Sequence, residues 1–113
     1  MSNFFRDQSV KLTTQNEFAE HEIAETLGIV RGSTIRARHV GRDIMAGLKS
    51  IVGGEISDYT QMMNQSREEA LDRMEDAARE LNADGVVCVR FATADVMQNA
   101  AEVMAYGTAV KFR

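Results

Sequence analysis

The chain reads as an α+β fold. Three observations point there: a glycine-interrupted apolar stretch that suits a long strand, a helix-period segment through the middle, and two apolar runs rich in β-branched residues towards the end. In chain order these give β-α-β-β. With 113 residues, 44% of them hydrophobic, the chain is expected to be one domain, able to bury about two-thirds of its unfolded surface in a single core.

Residues 1–11 mix aromatic and polar side chains without sustained periodicity and are expected to form a flexible arm. Order is expected near Leu12-Thr13-Thr14, so that 12–113 is the single domain. The pattern Ile23, Leu27, Ile29, Val30 and Ile35, interrupted by Gly28 and Gly32, predicts a long bent strand. Glycine weakens a helix interior, whereas in a strand it permits a bulge or a close approach.

After Gly41 the period changes. Ile44, Leu48, Ile51 and Val52 fall on one helical face and predict a first, short helix. A second helix is predicted from about Ser57 to Leu81, with Met63, Ala70, Met74, Ala77 and Leu81 turned to the core. The opposite stripe of Arg67, Glu68, Asp72, Glu75, Asp76 and Arg79 is expected to be solvated.

Asn82-Ala83-Asp84-Gly85 predicts a turn and Val86 to Phe91 a strand, with residues 94–100 connecting to a last strand. There Met104, Tyr106, Thr108, Val110 and Phe112 share one face, and Val103, Ala105, Gly107 and Ala109 the other. Neither face is polar before Lys111, so the sheet needs two covers. The long helix is one, and a second copy of the chain is the expected other, since no remaining segment looks able to serve.

Composition excludes several partners. Seventeen acidic against 13 basic side chains give a net charge of −4, which repels a polyphosphate backbone and argues against nucleic acid. Arg31, Arg36, Arg38 and Arg42 form a local exception, read as a solvated or intersubunit face. Charge comes too early for a signal peptide, and no apolar run approaches the roughly 20 residues that span a bilayer, so a cytoplasmic protein without a membrane partner is expected. Cys88 is the single cysteine and cannot form an internal disulfide, which fits a reducing compartment.

The inventory for chemistry is short. A soft metal needs thiolates or imidazoles brought together, and the chain offers Cys88, His21 and His39 with no CxxC and no HxH. Cys88 is expected as a packed thiol on the strand face of Val86 and Arg90, His21 as a solvated imidazole, and His39 as a hydrogen-bonded structural residue. Gly53-Gly54-Glu55 admits two readings. It is either a hinge between helices with Gly54 at positive φ, or a loop whose amides approach an anion beside a helix N-terminus. No residue pair has the spacing of general acid-base or nucleophilic catalysis.

The chain resembles the YbjQ-like family of small bacterial and archaeal proteins, described as heavy-metal-binding domains and otherwise uncharacterised. The resemblance rests on Thr13-Thr14, Leu27-Gly28-Ile29-Val30-Arg31-Gly32, Arg42-Asp43, Ala46-Gly47-Leu48 and Ile51-Val52-Gly53-Gly54-Glu55. It continues through Tyr59, Arg67-Glu68, Ala83-Asp84-Gly85-Val86-Val87 and Gly107-Thr108-Ala109-Val110. Three positions depart from it: Glu20, Asn82 and Cys88 stand where the family usually or often has glycine. The resemblance implies a two-layer β-α-β-β core with three main antiparallel strands in the order 1-3-2, helices on one face, and a ring of five subunits. It also implies a divalent or heavy metal ion as cofactor; no family ligand set maps onto the chain, and the candidate ligands are His39 and Cys88 from the inventory above. Function is therefore expected to be that of a homopentameric binding module for a metal or small anion, with Arg42, Asp43, Gly53, Gly54, Glu55 and Tyr59 as candidate ligand-binding residues. An enzyme with an intersubunit active site and a purely structural or partner-binding ring are the alternatives.

Overall fold

The computed structural model describes residues 9–37, 54–97 and 100–113. Four strands and one helix follow in the order β1 (Lys11–Leu12), β2 (Ile23–Ala37), α1 (Gly54–Glu80), β3 (Gly85–Met97) and β4 (Ala100–Phe112). They form one α+β unit with a sheet ordered β1-β3-β4-β2. The three long strands are antiparallel with β4 central, which is the expected 1-3-2 order. The short β1 adds a parallel pair, Lys11 with Gly85 and Leu12 with Val86, so the sheet is mixed and not wholly antiparallel. The short helix expected around Ile44 to Val52 lies outside the described residues.

Both C-terminal strands run further than their apolar cores. β3 continues to Met97 and β4 begins at Ala100, pairing through Asp95 with Ala101, so most of the expected 94–100 connection is strand. Cross-strand hydrogen bonds carry a strand past the point where its side chains stop alternating. At the other end, Val10 is 4% exposed within the core and Lys11 already belongs to β1.

The helix packs on one sheet face through Ala70, Met74 and Ala78, all fully buried, against Val30, Val86, Val103, Ala105 and Ala109. Gly32 sets the distance. A Cβ there would lie 2.2 Å from the Met74 amide nitrogen and 2.5 Å from the Ala70 carbonyl oxygen, so helix backbone rests directly on strand backbone. Small residues on α1 and a glycine on β2 are what allow this approach.

The second sheet face has a partial cover from the chain itself, which corrects the expectation that no segment could supply one. Residues 13–16 run along β3: the Thr13 amide donates to the Val86 carbonyl, the Val89 amide to that of Thr13, and the Cys88 amide to that of Gln15. The chain then turns so that Phe18 and His21 close over one end. The Phe18 and Phe112 rings meet edge-on at 5.2 Å, and the His21 ring stacks on Phe112 at 4.2 Å with 3° between planes. A Cβ on Gly85 would lie 2.8 Å from the Phe18 ring, so glycine is what lets this aromatic roof sit on the strand. Beyond the roof, Ile29 and Ile35 remain exposed.

Candidate functional site

The candidate residues divide by where they fall. Arg42, Asp43, Gly53 and His39 lie outside the described residues. Gly54, Glu55 and Tyr59 belong to the first two turns of α1, because the helix begins at Gly54 and not at Ser57. This corrects the hinge reading of Gly54: it is a helical residue, and among the described glycines the positive φ, +133°, belongs to Gly28 in the bulged part of β2. The amides of the first turn of α1 have no intrahelical acceptors and carry partial positive charge, which suits an anion near Gly54 and Glu55.

Cys88 is not a simple strand residue. It has φ +57° and sits where the β3–β4 register slips between Val87 and Arg90. Its thiol is half-buried and lies 3.4 Å from Asn16 Oδ1. His21 is half-buried in the aromatic stack, which corrects its reading as a solvated imidazole. Among the described residues no three His, Cys, Asp or Glu side chains gather where they could hold a metal. A soft ion needs converging thiolate or imidazole donors. The described part of a single chain does not fit a resident heavy metal.

Glu75, read as part of a solvated stripe, is 1% exposed. Its Oε2 accepts from Arg79 Nη2 at 2.9 Å, and Arg79 Nη1 donates to Asp76 Oδ1 at 2.6 Å. Burying a carboxylate is costly unless a partner compensates, so Arg79 is what makes the position tolerable. Glu75 borders an open cavity of about 530 Å³ lined also by Lys11, Thr13, Gln15, Phe18 and Glu20. Sequence pattern cannot find this site. An i,i+4 Glu–Arg pair is the usual mark of an exposed face, and the residues 10–20 that line the cavity with it are remote in the chain.

The fold and the family agree. A family model described as "putative heavy-metal-binding" matches residues 10–113. A UPF0145 protein of Dehalococcoides mccartyi is 60% identical over 99 residues, covering 88% of this chain and 95% of the relative. A UPF0145 protein of Archaeoglobus fulgidus is 53% identical over 107 residues, covering 95% and 99%. Among solved structures, a Pediococcus pentosaceus protein of the DUF74 family, with unknown function, matches at a TM-score of 0.63 and 20% identity over 94% of this chain and all of that one. That last likeness concerns the fold alone. The chain belongs to the YbjQ-like family.

Proposed function

We propose that the chain is a non-enzymatic binding module that assembles with copies of itself, as a ring of five, and sequesters a metal ion or a small anion in the cytoplasm. The observation that carries this reading is a sheet covered by α1 on one face and only partly roofed on the other, where Ile29 and Ile35 stay exposed. Large apolar side chains left on one face of a sheet mark a contact surface. The family's heavy-metal description supports the choice of ligand class.

We assign the binding site to Arg42, Asp43, Gly53, Gly54, Glu55 and Tyr59, of which Gly54, Glu55 and Tyr59 belong to the start of α1. A ring would repeat it five times, so weak individual sites would still retain a ligand by multiplicity. Donors too few in one chain would have to come from two, with Cys88 and His39 as the candidates. Native mass spectrometry of protein purified without added metal salts, followed by elemental analysis, tests the reading. Five-chain assemblies carrying bound metal or anion in a fixed ratio are expected. A monomer, or an assembly that takes up neither zinc, copper nor phosphate, overturns it.

A further inference from the structure

The sheet face turned away from α1 has two unlike halves. One end, around Gly85 and Val110, lies under Phe18, His21 and Phe112. In the other half Ile29 is 79% exposed, Ile35 56% and Tyr106 37%. The strand register sets Tyr106 directly between Arg31 on β2 and Arg90 on β3. Gly32 faces the helix, so Arg31 and Ile29 project from the opposite side.

This half therefore combines aliphatic, aromatic and guanidinium groups, the residue types enriched in protein contacts. Its cations are Arg31 and Arg90, with Glu102 beside Ile35 at the far end of the strands, while the neighbouring roof segment exposes Glu17 and Glu20. Arg90 crosses the border, donating from Nη1 to the Thr14 carbonyl, which leaves Arg31 as the cation set among the exposed apolar groups.

We infer that the apolar half of this face, with Arg31, is the surface that docks Glu17 and Glu20 of a second copy of the chain. The inference rests on the homo-oligomer proposed above and names the surfaces that build it. A ring of five closes through a head-to-tail contact between two different surfaces, so this half cannot dock on the same half of the next copy. Offset by the length of the roof, the same two faces match: isoleucines become covered, and the cation meets carboxylates. The chain carries both halves of the complementarity, so a second copy is the occupant with the required charge on both sides.

Sedimentation velocity of the full chain, with circular dichroism to confirm folding, provides the test. Arg31→Glu and Ile29→Asp are both expected to fold normally, since both positions are exposed, and to raise the concentration at which the assembly dissociates by about tenfold or more. Glu17→Arg with Glu20→Arg is expected to do the same, and combining these two changes with Arg31→Glu is expected to restore assembly. A monomeric wild type overturns both this inference and the oligomer itself. A wild-type assembly that Arg31→Glu and Ile29→Asp leave intact overturns the inference alone. Loss in each charge variant without recovery in the combined one overturns the pairing of Arg31 with the acidic segment.

Discussion

Asn82 and Cys88 are the two non-glycine residues with positive φ among those described, at 59° and 57°. They are also two of the three positions where the chain departs from the glycine expected of its family. Asn82 closes α1: its amide donates to the Arg79 carbonyl and the Ala83 amide to that of Ala78, the paired bonds of a left-handed helix terminus. Asparagine tolerates that conformation better than most residues. Cysteine has no such excuse, and its Cβ crowds the following carbonyl oxygen. Cys88→Gly is therefore expected to stabilise the protein by about 1 kcal/mol, where glycine in an ordinary strand would weaken it. A melting temperature that falls in this variant would show that the thiol's packing and its contact with Asn16 outweigh the strain. Gly32 presents the opposite case, a glycine kept for space. Gly32→Ala is expected to cost about 3 kcal/mol or more, because the new methyl meets helix backbone that cannot rotate away. Chemical denaturation should show the loss directly, and a cost below about 1 kcal/mol would mean that α1 can lift from the sheet.

At the scale of elements, two arginines of α1 hold it in unlike ways. Arg73 Nη1 donates to the Ser33 carbonyl of β2, an outer strand of the sheet. A side chain bonded to an edge strand obstructs addition of another strand there. Arg73→Ala is expected to leave the fold intact and raise the rate of aggregation, measured by light scattering on standing; an unchanged rate would show that β2 is protected by other means. Arg79 compensates Glu75, so Arg79→Ala is expected to destabilise by about 3 kcal/mol, since it removes one partner of a buried carboxylate. Arg79→Ala combined with Glu75→Leu should regain most of that loss in urea titrations. If it does not, Glu75 contributes more than the ion pair.

At the scale of the whole molecule, the long strands produce a shape of 56 × 28 × 22 Å. Such a shape leaves more surface in water than a rounder domain of the same length. Among the described residues no helix is long and apolar enough to cross a membrane. Val110 is 1% exposed on the sheet face under the aromatic roof. Val110→Asp is expected to unfold the chain and abolish assembly together, since it strands a charge in a desolvated layer. A folded but monomeric variant, seen by circular dichroism and sedimentation, would instead place Val110 at a subunit contact.

The sequence by itself determined the class of fold, the order of its long strands through family resemblance, and the face of α1 that carries Ala70 and Met74, although Ala78 is buried in place of the expected Leu81, which is 43% exposed. These are periodic features, and periodicity reports which side of an element avoids water. It could not tell why individual residues break the pattern. Glu75 looks solvated because its own helix places it among charged neighbours, yet in the folded chain it is 1% exposed and shares a cavity with residues 10–20. His21 lies between two glutamates in sequence and against Phe112 in space. Gly53-Gly54 looks like a break, yet α1 already begins at Gly54, since helical φ and ψ are open to glycine at a small entropic cost. Gly32 reads as a bend and proves to be the seat of a helix. Each of these depends on a contact between segments distant in the chain, for which local composition holds no record, and tertiary packing alone decided them.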